Sequence, residues 1–246
     1  LTSNSWADSA GGGYCQDSVA EIAIFATNTP GIPGKGVAKI GIFAIGGAPW
    51  AIGARRGILR GCSLSILLPS KETAMSRAAA VTFKGTPMTL AGNEVKAGQP
   101  LPDFTVRYFE GGLKTITKKD LAGKPSLISV VPSLDTGVCA TQTKKFNEQI
   151  AALGDKINAV TVSLDLPFAM NRFCGAEGIK NMKVGSDYYD KNFGKATGML
   201  IEDLQLLARG VFVLDKDGKV VHAETVKEVT TEPNYDAALT AIKSQL

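Results

Sequence analysis

The pattern of apolar positions divides the chain near residue 75. Before it, apolar residues keep no sustained period of 2 or 3.6. The most apolar run, 40–54, is interrupted by Gly41, Gly46, Gly47, Pro49 and Gly53. After residue 75, short periodic segments follow one another. Residues 81–83 and 88–90 flank a Gly85-Thr86-Pro87 turn and predict a hairpin. Residues 104–108 alternate as a strand, and 127–131 form the short apolar run of a buried central strand. A helix is expected from Thr136 to about Leu153, with Val138, Phe146, Ile150 and Leu153 as a loose apolar stripe. A β-branched strand over 157–164, a short helix over 168–177 and a weak strand at 182–184 come next. Residues 210–214 and 219–223 flank Asp215-Lys216-Asp217-Gly218, a strong hairpin signal, and an amphipathic helix closes the chain over 235–246. Strand, helix, strand, helix and hairpin predict an α/β fold. It has a central mixed sheet flanked by helices, with an N-terminal β-hairpin ahead of it.

Composition sharpens the division. The first 74 residues hold 12 of the 27 glycines, which is about twice the density of the rest. Residues 1–74 are therefore expected to be a low-order, Gly-rich extension, irregular or disordered. The opening Leu1, in place of a methionine, suggests a misassigned start upstream of Met75. Residues 75–246 make a comfortable single domain. The 40–54 run is too short and too broken for the ~20 apolar residues of a membrane helix. It also lies too late for a secretory signal, with Arg55, Arg56 and Arg60 behind it. The expectation is a cytoplasmic protein with no membrane contact.

Charge and histidine content exclude more. Net charge is +4, from 27 basic against 23 acidic residues, too small and too dispersed an excess to argue for nucleic acid. Gly31-Ile32-Pro33-Gly34-Lys35-Gly36 lacks the spacing of a phosphate loop and the Ser or Thr after its lysine. The single histidine, His222, excludes metal sites built from several histidines and is read as an edge-strand surface residue.

Four cysteines remain: Cys15, Cys62, Cys139 and Cys174. They are too few for a secreted disulfide scaffold and enough for thiol chemistry. Pro132-Ser133-Leu134-Asp135-Thr136-Gly137-Val138-Cys139 leaves a buried strand and opens a helix. Cys139 thus falls in the first helical turn, where free N–H groups and the dipole favour an anion such as a thiolate. Thr136, three residues earlier, can bring its hydroxyl to the same place. Pro132 ends the strand and shields the pocket floor. The plain alternative is that Cys139 is a small buried hydrophobe. Cys174 falls on the next short helix. No Cys-x-x-Cys occurs, which argues against a thioredoxin-type redox motif. Two thiols 35 residues apart on separate helices suggest that one is oxidised and the other arrives by local unfolding, unless Cys174 is inert packing.

Several motifs then stand in order: 132–139, Asp165-Leu166-Pro167-Phe168-Ala169, Arg172-Phe173-Cys174-Gly175-Ala176-Glu177-Gly178, Ala208-Arg209, and Thr231-Glu232-Pro233-Asn234-Tyr235. With these, residues 75–246 resemble the bacterial thiol peroxidases, atypical two-cysteine peroxiredoxins with a thioredoxin-like fold; residues 1–74 share nothing with them. The resemblance implies that Cys139 is the peroxidatic cysteine, Cys174 the resolving one, and that Thr136, Arg209 and Pro132 complete the site. Arg172 is a weaker candidate for the cationic role. The resemblance further implies a hydroperoxide substrate, alkyl or lipid hydroperoxides included. It implies a Cys139–Cys174 disulfide recycled by thioredoxin, a homodimer, and no metal or organic cofactor. Leu134, Val138 and Phe168 suit apolar peroxides. A disulfide oxidoreductase and a non-enzymatic redox sensor are the competing readings.

Overall fold

All five residues of Ser126–Val130 (β5) are buried, and their side chains alternate between two separate cores. Ile128 and Val130 enter one core and Leu127 the other. Asn158–Ser163 (β6) and Gly210–Leu214 (β10) divide in the same way. A strand covered on both faces has no reason to alternate with polar residues, which explains the continuous apolar runs.

The computed structural model describes residues 75–246. The expectations for residues 1–74, Cys15 and Cys62 included, lie outside the described residues. The remaining strands are Ser76–Phe83 (β1), Thr86–Ala91 (β2), Thr105–Phe109 (β3), Leu113–Thr117 (β4), Lys183–Ser186 (β7), Leu200–Ile201 (β8), Leu206–Leu207 (β9) and Val220–Thr225 (β11). The α-helices are Gly137–Gln149 (α1), Pro167–Glu177 (α2), Asn192–Thr197 (α3) and Tyr235–Lys243 (α4).

The central sheet runs in the order β11-β10-β5-β6-β7-β3-β4. Pairing is parallel across β5-β6-β7 and antiparallel elsewhere. A smaller sheet, β1-β2-β8-β9, contributes Leu90, Ile201 and Leu207 to the first core, with Phe193 of α3. On the other face, Phe146 and Ile150 from α1 and its end pack with Ala238, Leu239 and Ile242 of α4. The expected mixed sheet flanked by helices, with a leading hairpin, is the fold.

Differences are local. The first hairpin turns at Lys84-Gly85, both with positive φ (50° and 78°), and Pro87 lies inside β2 opposite Thr82. A two-residue turn of this kind needs φ > 0 twice. Glu228 accepts from the backbone N–H of Lys84 and of Gly85, each at 3.0 Å, and so pins the strained pair. The α1 helix stops at Gln149, four residues earlier than expected, and continues as a 3-10 segment, Ala151–Lys156, in which Gly154 leaves helical geometry at φ 49°, ψ −134°. Its buried face is not the expected stripe either. Val138 is half-buried, while Cys139, Gln142, Thr143, Phe146 and Asn147 are buried. Three of those five are polar, so hydropathy alone places them outside. His222 lies on the edge strand β11, as expected, but it is half-buried with its Nε2 covered and is no surface residue.

Candidate active site

The sheet places the parts of the site by register. β10 runs antiparallel to β5, with Gly210 opposite Val130. One step beyond, Arg209 comes level with the chain leaving β5 through Val131 and the buried Pro132. Gly210 is required at this point: a Cβ there would lie 2.3 Å from the Glu224 carbonyl oxygen and 2.8 Å from Met199 Cε. Beyond Pro132 the chain turns through Ser133–Thr136 and enters α1, with Thr136 as N-cap in extended geometry (φ −107°, ψ 144°). Cys139 is the third residue of that helix, among N–H groups that have no acceptor within the helix.

The Cys139 sulfur is wholly buried and meets two donors. Thr136 Oγ1 lies 2.8 Å from Sγ, and Arg209 Nη2 donates to it at 3.1 Å. The Thr136 hydroxyl also lies 3.1 Å from the Ser133 carbonyl oxygen, so its single proton has two alternative acceptors. Thr136 is exposed, so a residue in contact with solvent touches the buried sulfur.

Arg209 is 2% exposed and held at three points. Nε donates to the Val229 carbonyl oxygen at 2.7 Å, Nη1 to Gln142 Oε1 at 2.6 Å, and Nη2 to the sulfur. Gln142 is itself fixed by donating from Nε2 to Ser129 Oγ at 2.8 Å. Among the described residues no carboxylate hydrogen-bonds this guanidinium. The Cys139 sulfur is the one group of its bonded set able to carry a compensating negative charge. Arg209 is thus no surface ion-pair residue, and the exposed Arg172 does not take its place.

Cys174 has different surroundings. It is half-buried on α2 and packs, with Phe173, against the small cluster of Val131, Leu134, Cys139, Met170 and Val184. Burial pushes its thiol up to about 11. Both cysteines are free. Leu134 is part of that cluster at 3% exposure, so it lines no entrance; Phe168 is exposed and stacks at 5.2 Å on Phe109.

Gln142, Ser129 and Ser163 join the site without any signal in the sequence analysis, and Ser133 and Asp165, quoted there only within motifs, join it too. The Asp165 carboxylate accepts from Ser133 Oγ, the Leu134 N–H and Ser163 Oγ, each at 2.7 Å. Gln142 stands one helical turn after Cys139, the spacing that puts two side chains on one face.

A thiol beside a buried guanidinium, a hydroxyl and free helix N–H groups can act as a nucleophile toward a polar bond whose leaving group is an oxyanion. The Redoxin family profile matches residues 96–239. A thiol peroxidase of Bacillus subtilis is 52% identical over 166 residues, 68% of this chain and 98% of that protein. The chain belongs to the bacterial thiol peroxidases. A thiol peroxidase of Halalkalibacterium halodurans is 51% identical over 168 residues, 68% of this chain and 99% of its own length. Among solved structures, a peroxiredoxin-like protein from Aquifex aeolicus is 40% identical with a TM-score of 0.63, covering 69% of this chain and 99% of that one. As a thiol peroxidase the protein is a thiol-dependent peroxidase of the peroxiredoxin type with a thioredoxin-like fold. Among the described residues no helix is long and apolar enough to cross a membrane, and no group of three metal-ligating side chains converges.

Proposed function

We propose that residues 75–246 are the peroxidase domain, that Cys139 is its peroxidatic cysteine and that Cys174 resolves it. The observation that carries the assignment is the Cys139 sulfur between Thr136 Oγ1 and Arg209 Nη2 at the start of α1. The thiolate attacks one oxygen of a hydroperoxide. The O–O bond breaks, the second oxygen leaves as alkoxide or hydroxide and takes a proton, and Cys139 becomes a sulfenic acid. Arg209 and the helix amides stabilise the charge on sulfur and on the parting oxygens. Thr136 aligns the O–O bond with the line of attack, and Pro132 closes the floor beneath. The electron pair comes from sulfur, so the reaction needs neither metal nor organic cofactor.

Cys174 then displaces water from the sulfenic acid and a Cys139–Cys174 disulfide forms. Both thiols are free and stand on separate helices, and closing the bond takes a movement of the backbone between them. The burial that pushes Cys174 up to about 11 is relieved in the same movement. Thioredoxin, the reductant typical of the family, restores both thiols by exchange. A homodimer in the cytoplasm acting on hydrogen peroxide and alkyl or lipid hydroperoxides completes the reading. The exposed Phe168 suits an apolar substrate.

Cys139→Ser is expected to abolish hydroperoxide consumption in the presence of thioredoxin, thioredoxin reductase and NADPH. Activity surviving that change removes Cys139 from its role.

A further inference from the structure

The loop before α1 and the loop before α2 leave the sheet side by side, because β5 and β6 are parallel neighbours with Val130 opposite Val162. One carboxylate joins them. Asp165, between β6 and α2, accepts from Ser133 Oγ and the Leu134 N–H of the first loop, both at 2.7 Å. It also accepts from Ser163 Oγ at 2.7 Å, and Ser163 Oγ lies 3.2 Å from the Asp165 N–H. Its own carbonyl oxygen takes the Ser186 hydroxyl of β7. Three donors on one carboxylate are charge-assisted hydrogen bonds, the stronger class. Two of the three cross from one loop to the other.

Those two loops lead directly to the two cysteines. Ser133 and Leu134 are followed by Thr136 and Cys139; Asp165 is followed by Leu166, the N-cap of α2, which carries Cys174. Leu134 further packs with Cys139 and Met170 under Phe173 and Cys174. The two crossing bonds therefore tie together the segments that carry the two cysteines.

We propose that Asp165 is a positioning residue that acts as the clasp between the peroxide-reactive and disulfide-forming arrangements of the two helices. Closed, it holds the Ser133–Thr136 loop where the Thr136 hydroxyl meets the sulfur. Opening it is part of the movement that lets Cys174 reach the Cys139 sulfenic acid. The clasp therefore sets how a sulfenic acid is divided between two fates. In one, Cys139–SOH and the Cys174 thiol give the disulfide and water. In the other, Cys139–SOH and a second ROOH give Cys139–SO2H and ROH, with sulfur oxidised by two electrons and the peroxide reduced by two.

This inference rests on the proposed roles of Cys139 and Cys174, and the test separates the two. Purified full-length protein is oxidised by graded hydrogen peroxide, with the rate of Cys139 oxidation followed by stopped flow and the disulfide-to-sulfinic ratio by mass spectrometry. Asp165→Ala is expected to slow Cys139 oxidation about tenfold, the scale of lost charge-assisted hydrogen bonds. It is expected to quicken disulfide formation from the sulfenic acid, the second stopped-flow phase, by about as much, and so to raise the disulfide-to-sulfinic ratio. Ser133→Ala, which removes one crossing bond and spares the fold, is expected to move both in the same directions by less. A rate of disulfide formation unchanged in both variants overturns the clasp, whatever happens to the rate of oxidation, because a site merely less reactive to peroxide does not hasten the arrival of Cys174. A wild-type protein whose Cys139 peroxide does not oxidise overturns instead the reading of the site.

Discussion

The two cysteines of the domain lie against one small apolar cluster and differ in the polar groups that meet their sulfurs. Cys139 sits wholly buried yet is met by a guanidinium, a hydroxyl and the open end of a helix. Cys174 is less buried, and among the described residues no hydrogen bond reaches its sulfur from a side chain; burial alone sets its acidity, at about 11. Depth therefore does not separate the proposed nucleophile from the thiol proposed to resolve it. What separates them is whether the groups around the sulfur offer compensation for a negative charge. On the proposed roles the same contrast orders the reaction, with one thiol prepared in the folded protein and the other made competent when α2 loosens.

Replacing the guanidinium attacks the contrast most strongly. Arg209→Lys keeps a positive charge but loses the planar fork that serves Val229, Gln142 and Cys139 together. Cys139 oxidation by hydrogen peroxide, followed by stopped flow, is expected to slow by about 10²–10³, the usual cost of removing a preorganised charge-stabilising donor. A rate within twofold of wild type would move the stabilisation away from Arg209.

The other side of the contrast is read by alkylation. Only the thiolate is alkylated. Burial raises the Cys174 thiol from 9.0 to about 11, so the folded state holds it protonated below pH 9. At pH 8, Cys174 is expected to react with iodoacetamide about a hundredfold more slowly in the folded protein than in urea, the factor given by two units of acidity. Its folded rate is expected to climb with each unit of pH up to about 11. Equal folded and unfolded rates at pH 8 would mean that Cys174 is not held dormant by burial.

Much of this was legible in the residues. The apolar run of β5 and the turn Asp215-Lys216-Asp217-Gly218 located the sheet, and the chain leaving β5 at Pro132 put Cys139 in a first helical turn. What escaped was held by single or polar anchors. β4 buries only Ile116 of its five residues, and α3 is six residues fixed by Phe193, Gly194 and Thr197, so neither yields a period. Asp187, which caps α3 from below by accepting from the Phe193 and Gly194 N–H groups, is a buried carboxylate no pattern announces. Gln142 was hidden because a polar side chain is assigned outward by default, whereas here it turns inward to hold Arg209. The Asp165 bonds stayed out of view for another reason. They join residues 31 and 32 apart in sequence, and only the parallel register of β5 and β6 makes them neighbours.

The proposed redox cycle joins one prepared thiol and one dormant thiol. Its most direct test is peptide mapping of the full chain after one equivalent of hydroperoxide, with free thiols blocked before digestion. The predicted result is a cross-linked pair of peptides containing Cys139 and Cys174, short of two hydrogens, with Cys15 and Cys62 recovered in blocked form. Recovery of Cys139 as a blocked thiol, or a disulfide formed by Cys15 or Cys62, would contradict it.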